Sequence, residues 1–396
     1  MDSIIIVVPE LLPIPPVQGG AVEYWVHEAS RHLVTCGHRL AVVSRPAGVT
    51  GQDDIEYLSI PWTPMERFFH QIKERVTWKN PLRYLAKIQN VYSYGQRVAS
   101  VVRDFDVVYL HNEPNILLFL RKRPGQKIVL HMHNDHLSIR LFRPFYRRAL
   151  AKVDRVICVS DYIRRQAVVH FPEYANRFHV VLNSTDPKVF KPYGDEGIRQ
   201  LEGKVRLEQD KRYLLYVGRL TPIKGVHVLI EAFREIHRQM PDVRLIITGS
   251  SFFGGAAKTA YEQELVKLAE PVNDAIVFTG YLPHENLKYL YSMADMIVLP
   301  SVWQDPCPLV VLEAMASGSC LVASAVGGIP EVVESGINGV LVKPADADAL
   351  ALAVCSTLSE PELMRRMESM ARQQIVANYT WERLVGELET IFGVLK

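Results

Sequence analysis

Arg219 and Lys224 are the only charges in GRLTPIKG, the loop from Gly218 to Gly225 that follows an apolar run ending at Val217. A diphosphate requires positive charge from two directions, with one partner able to make forked contacts, and an Arg and a Lys on one loop supply both. The plain alternative is a surface turn carrying two solvated bases. A second pattern runs from Pro300 to Gly318, PSVWQDPCPLVVLEAMASG. An apolar strand stops at the proline, a short loop carries Asp305, and a helix follows with Glu313 on its second turn, eight positions after the first acid. Free N–H groups at a helix start attract anions, and a carboxylate accepts from two vicinal hydroxyls at once. Loop acid, helix start and helix acid together suit a ligand carrying both hydroxyls and phosphate. Pro306 and Pro308 have no N–H to donate, so Cys307, Leu309 and Val310 are left to offer backbone donors. No His-plus-acid set lies beside Cys307 in sequence, which argues against a nucleophilic thiol.

The first half has its own candidates. Gln18-Gly19-Gly20-Ala21 opens a helix after the first apolar run, and glycines there let backbone approach a ligand. HNEPN (His111–Asn115) and HMHND (His131–Asp135) each follow an apolar strand. Two His at i and i+2 with Asp135 nearby are conceivable metal ligands, although the spacing is that of a strand or loop and no helical His-Glu-x-x-His is present. His131 is expected to be structural, with its side chain pointing away from that of His133. Residues 66–87 interleave Arg67, Lys73, Arg75, Lys79, Arg83 and Lys87 with Phe68, Phe69, Trp78 and Tyr84. That suits an anionic membrane surface or a phosphate-bearing acceptor, and equally a helical face packing its aromatics inward. A second basic cluster, Arg140 to Arg155, has the same two readings.

Positioning these residues takes a scaffold of short apolar runs alternating with helical patterns, which argues for parallel sheets covered on both faces. Strands are expected at Ile4–Val8, Leu40–Val43, Val107–Leu110, Ile128–Leu130, Arg155–Val159 and His179–Leu182, then at Tyr213–Val217, Val243–Thr248, Ala275–Phe278, Met296–Leu299, Cys320–Ala323 and Val340–Val342. Apolar residues at 22, 26, 29 and 33 mark one buried helix face. Further helices are expected near 226–240, 257–270, 284–294, 309–317, 328–335 and 346–358. At 396 residues the chain divides naturally into two domains. We expect an N-terminal Rossmann-like domain over 1–190, a linker over 191–211, a second Rossmann-like domain over 212–378 and a C-terminal helix over 379–396 that packs back on the first domain. Two doubly wound domains in tandem predict a ligand cleft at the carboxyl ends of the strands. The net charge of +2 gives no reason to expect nucleic acid. Five widely spaced cysteines without a C-x-x-C pair suit a reduced, cytoplasmic protein. The amino terminus MDSIIIVVPE reads as a buried strand rather than a signal peptide, and no apolar segment approaches a membrane span, so any membrane contact is expected to be peripheral.

Taken together, these motifs resemble those of the family-4 glycosyltransferases over nearly the whole chain. Gly218–Gly225 matches the family's Gly-Arg-x4-Lys-Gly at each fixed position, and Asp305 with Glu313 resembles its Glu-x7-Glu. The chain departs from the pattern where the first Glu has become Asp305 and the usual Gly-Phe-Gly has become Pro306-Cys307-Pro308. The resemblance implies a glycosyltransferase-B fold, α/β, with two doubly wound Rossmann-like domains facing across a cleft. It implies a retaining, metal-independent hexosyl or N-acetylhexosaminyl transfer from a nucleotide-diphosphate sugar to an acceptor hydroxyl, in glycan or glycoconjugate biosynthesis, with no cofactor. A UDP-sugar is expected ahead of a GDP-sugar. It also implies roles. Arg219 and Lys224 grip the pyrophosphate, Glu313 takes the ribose and Asp305 a sugar hydroxyl. His133 lies against the donor sugar, and Gly19 and Gly20 reach toward the diphosphate or acceptor. Gly218 and Gly249 permit close approach, and the backbone at Tyr281 and Leu282 frames the base. HNEPN matches only in part and shapes the wall at most. Two rivals stand beside this reading: a nucleotide-sugar epimerase on the same fold, and a non-catalytic assembly protein whose donor site has decayed, a reading motivated by Asp305 and Pro308.

Overall fold

The computed structural model describes residues 2–16, 20–46, 54–75, 81–250 and 259–393. The chain forms two compact units, one of Met1–Val181 with Leu384–Lys396 and one of Leu182–Arg383.

The first unit is built on seven strands: β1 (Ser3–Val7), β2 (Arg39–Ser44), β3 (Ile55–Ser59), β4 (Val107–His111), β5 (Lys127–Met132), β6 (Arg155–Cys158) and β7 (Phe178–Val180). All pair in parallel, in the order β3-β2-β1-β4-β5-β6-β7. The second unit has β8 (Arg212–Val217), β9 (Val243–Thr248), β10 (Ile276–Gly280), β11 (Met296–Leu299), β12 (Cys320–Ser324) and β13 (Val340–Val342), also all parallel, in the order β10-β9-β8-β11-β12-β13. Central strands such as IIIV of β1 and MIVL of β11 are buried on both faces, which is why they read as unbroken apolar runs. In each unit the order reverses beside its first strand, β1 against β4 and β8 against β11. Loops leaving the carboxyl ends there splay apart, and that is where ligands bind in such sheets. The loop after β8 is GRLTPIKG, and the helix Ala21–Thr35, which buries Trp25, Val26, Ala29 and Leu33, follows β1.

Several expectations are corrected. Residues 191–211 are no bare linker: they hold the helix Asp195–Leu201, and Leu201 and Val205 join Phe190 in the second unit's core, so apolar burial makes the segment part of that unit. The helix expected at 328–335 is only a single 3-10 turn, Ile329–Glu331, set between Gly327 at φ +57° and Gly336 at φ +82°. Strand β3 was not expected, because its residues IEYLS are half-exposed at the sheet edge. The helix Pro361–Asn378 was also missed; it is mostly polar and buries only Met367, Ala371 and Ile375. The final helix, Trp381–Gly393, passes from one unit into the other. From Leu384 it belongs to the first, where the Phe392 ring stands edge-on to Tyr109 at 5.3 Å and Glu389 pairs with His38 at 3.1 Å.

Candidate functional site

In the second unit, the ends of β8, β9 and β10 meet through backbone at Gly218, Gly249 and Gly280. A Cβ on Gly249, at φ +137°, would stand 1.9 Å from the Gly218 carbonyl oxygen, while the Gly218 amide donates to the Thr248 carbonyl and the Gly249 amide to the Gly280 carbonyl. Backbone is thus the floor of the site. After Gly218 the chain turns through Pro222–Lys224 and passes over Pro300. At that crossing Gly225 adopts φ +71°, and a Cβ there would fall 1.9 Å from the Pro300 oxygen. The Val302 and Trp303 amides both donate to the Ile223 carbonyl, at 3.1 and 3.3 Å, which ties the two loops together. The crossing brings the Lys224 ammonium onto Asp305, with which it forms an ion pair. Arg219 is exposed, and its guanidinium has no partner among the described residues.

Asp305 is itself held from behind. The Gly328 amide donates to its carbonyl at 2.8 Å, and Gly327, whose Cβ would meet that carbonyl at 1.9 Å, donates to Gln304 Oε1 at 2.7 Å. The helix Leu309–Ala316 starts after Pro308 with no side-chain cap, so the Leu309 and Val310 amides are unspent donors at its positive end. The Cys307 carbonyl accepts from Asn183 at 2.8 Å. Burial pushes the Cys307 thiol up to about 12, which leaves it a protonated, inert group at neutral pH.

Glu313 is buried, and both of its oxygens are engaged. His284 Nε2 lies 2.9 Å from Oε1, and the Tyr291 hydroxyl donates to Oε2 at 2.9 Å. Burial, and then the Glu313 charge, hold the Tyr291 phenol well above its ordinary range, so it remains a donor. Phe190 packs edge-on to both His284 and Tyr291. Reading the sequence assigned neither residue a role. His284 opens a helix just beyond exposed Tyr281 and half-buried Leu282, and Tyr291 is seven residues later, but nothing in their spacing marks a meeting with Glu313.

In the first unit Gly20 has φ +115°, and a Cβ there would lie 2.2 Å from the Glu23 carboxylate. Burial raises the Glu23 pKa to about 7. Gly19 lies outside the described residues. His133 follows β5, is buried, and sits with Nε2 2.9 Å from His111 Nδ1, while its amide donates to Asn112 Oδ1 at 2.7 Å. His131 is not turned away, as expected, but stacks on His133 with centroids 4.2 Å apart. Strand side chains alternate with period two, so residues 131 and 133 share a face. His131 Nδ1 meets the Tyr109 hydroxyl at 2.6 Å, and Trp25 packs against all three histidines. Burial holds His111 and His131 well below the usual imidazole range and His133 at about 3, so the cluster is neutral. One nitrogen from each of the three lies within 4.8 Å of the others, close enough to hold a metal ion. The rings are stacked rather than convergent, however, and His111 Nδ1, His133 Nε2 and His131 Nδ1 are already engaged with one another or with the Tyr109 hydroxyl.

The strand order of each sheet, with its reversal beside the first strand, defines two doubly wound α/β units. Residues 19–189 match the family model described as Glycosyltransferase Family 4, and residues 198–374 match that described as Glycosyl transferases group 1. The chain therefore belongs to the family-4 glycosyltransferases, with the two-domain α/β glycosyltransferase-B fold. It is 29% identical to the "Putative glycosyltransferase YtcC" of Bacillus subtilis, over 97% of this chain and 90% of that one. It is 25% identical to the "Lipopolysaccharide 1,2-N-acetylglucosaminetransferase" of Salmonella typhimurium, over 98% and 97%. Among solved structures, Anabaena Alr3699/HepE superimposes with a TM-score of 0.77 in complex with UDP, at 19% identity and covering 99% of this chain and 100% of that one. Its complex with UDP-glucose gives 0.75 at 20% identity, covering 99% of each chain.

Proposed function

We propose that this glycosyltransferase moves a hexosyl or N-acetylhexosaminyl group, with retention, from a UDP-sugar to an acceptor hydroxyl in the synthesis of a glycan or glycoconjugate. The observation that carries the reading is the loop crossing at Gly225, which sets Arg219, Lys224 and Asp305 beside an uncapped helix start bearing Glu313. The UDP and UDP-glucose complexes of HepE support the choice of nucleotide, and the name of the Salmonella relative supports the sugar class.

In this reading Arg219, Lys224 and the amides of Cys307, Leu309 and Val310 take the diphosphate, whose charge grows as the sugar leaves. The bond from the anomeric carbon to the diphosphate oxygen breaks, and a bond to the acceptor oxygen forms on the same face. The acceptor proton passes to the departing phosphate oxygen, so no side chain need act as base. Glu313 accepts from the ribose diol while His284 and Tyr291 fix its plane. Asp305 takes a sugar hydroxyl. Gly218 and Gly249 admit the nucleotide to the backbone floor, the Tyr281–Leu282 backbone borders the base, and Gly20 and Gly19 serve the phosphate or acceptor. His133, held neutral, donates to the sugar.

Titration calorimetry with UDP, GDP and UDP, GDP sugars tests the donor assignment. UDP binding that weakens in Glu313→Gln is the expected result, and tight GDP binding with none for UDP would overturn the choice of base. Failure to bind either nucleotide would sink the transferase site. The anomeric configuration of the product, read by proton NMR, tests retention.

A further inference from the structure

The helix Pro81–Val101 is apolar on two opposite faces. One face buries Ala86, Val91, Tyr94 and Val98 in the first unit. The other leaves Leu82, Leu85, Ile88 and Tyr92 exposed, Leu85 by 59%. An amphipathic surface helix shows charge on its outer face, so a second apolar stripe calls for something to cover it. The stripe continues onto the helix Pro64–Arg75, where Met65 and Phe68 are exposed and Met65 Sδ lies 4.0 Å from Gln89 Nε2, next to Ile88. The two helices are anchored to each other and to the end of β2. Buried Glu66 is gripped by Arg97 at 2.6 Å and by Arg45 at 3.2 Å, and Arg45 is sandwiched between Trp62 and Tyr94.

A third element of the same unit exposes further apolar side chains. The helix Arg143–Leu150 and the helix Pro81–Val101 both pack on the turn Pro114–Leu118. Just ahead of and within the former, Ile139, Leu141 and Phe145 are exposed, Leu141 by 79%. Within the long helix and the third element the charges are of one sign, while the helix Pro64–Arg75 carries Glu66 and Glu74. Residues 75–103 contain six bases and no acid, and residues 136–153 contain five bases and no acid, in a chain whose net charge is only +2. Arg140 and Arg148 are exposed and have no partner among the described residues. Exposed apolar side chains beside the unpaired Arg140 and Arg148 match a bilayer interface with anionic headgroups, where stems lie in the acyl boundary and heads reach phosphate. No helix among the described residues is long and apolar enough to cross a membrane, so the contact is with one surface.

We propose that the first unit docks on an anionic lipid surface through the helices Pro64–Arg75 and Pro81–Val101 and the segment 139–148. The proposal is independent of the transfer chemistry, because none of its residues belongs to the donor site. The test is flotation of the full chain with vesicles of phosphatidylcholine, with and without phosphatidylglycerol, at low and high salt. UDP affinity and melting temperature are measured on the same preparations. The parent is expected to float with the anionic vesicles only, and to be released by salt. Arg140→Glu/Arg148→Glu should lower partitioning more than tenfold, on the scale of about one unit of binding energy per surface cation. Leu85→Ser/Ile88→Ser/Leu141→Ser should abolish it, with UDP affinity unchanged in both variants. Equal flotation on neutral vesicles, no flotation, or variants that float like the parent would overturn the proposal. So would a parent dimer that the triple variant converts to monomer, since the face would then be a contact between copies.

Discussion

The Lys224 ammonium is paired with the Asp305 carboxylate across two loops that meet only because residue 225 has no side chain. Gly225→Ala places a Cβ on the Pro300 carbonyl and a non-glycine residue at φ +71°. The left-handed conformation alone costs about 1–2 kcal/mol, and the overlap adds to it. A lower urea midpoint together with weaker UDP binding is expected. A parental midpoint would mean that the crossing is slack and the pair dispensable.

Arg219 and Lys224 should separate in their effects on folding. Arg219→Ala removes an exposed, unpartnered side chain, so stability should hold while UDP affinity falls by about 1.5–3 kcal/mol, the worth of a hydrogen bond to a charged group. Lys224→Ala should lose similar affinity and also stability, because Asp305 is left buried without its cation. Turnover should fall further than affinity in both, as the leaving charge is largest in the transition state. Two variants that bind and turn over like the parent would remove the pyrophosphate from this loop.

The two acids should divide the donor between them. Glu313→Gln weakens acceptance from a diol, so affinity for UDP alone should drop. Tyr291→Phe, which frees Oε2 but leaves the carboxylate, should cost less, on the order of 1 kcal/mol. Asp305→Asn should leave UDP affinity nearly unchanged and reduce only the added affinity of the sugar nucleotide. Calorimetry on the three variants gives the ranking, and a reversed order exchanges the roles of Glu313 and Asp305.

Stability should fall steeply with acid. His111, His131 and His133 are buried neutral, so the unfolded chain binds protons that the folded chain refuses once pH drops below about 6.5. Their contribution is fully present above that value and is lost below it, for His133 down to about 3. Glu23, raised from 4.5 to about 7, acts in the opposite sense between those values. At about 1.4 kcal/mol per proton per pH unit, three groups against one predict a loss of roughly 2–3 kcal/mol between pH 6 and 5. Urea unfolding across that range should show it, with His133→Asn reducing the slope by about one proton and Glu23→Gln steepening it. A flat profile would mean that the histidines reach solvent.

The fold was legible where burial was complete. All strands but β3 were located within a few residues, because a strand covered on both faces is an apolar run whatever its neighbours. Half-exposed β3 and the polar helix Pro361–Asn378 carry no such signal. In the site, Arg219, Lys224 and Glu313 stood out because a single loop or helix start displays them. His284 and Tyr291 did not, since their contact with Glu313 exists only after β10, β11 and the helices between them are packed. His131 was misread by a simple error of parity, and the period of a strand alone would have placed it beside His133.

The helix that begins at Trp381 gives the first unit its last buried residues, Leu388 and Phe392, with Phe392 seated against Tyr109 of β4. A growing chain therefore completes the sheet around β4 long before the piece that covers it exists. Roughly 200 residues of the second unit are made in between, and at typical rates of synthesis that takes about 10–40 s. The second unit is continuous in sequence and can close as soon as it emerges, while the unit made first waits with an aromatic surface open. Order of birth and order of completion are reversed for the two units of this chain.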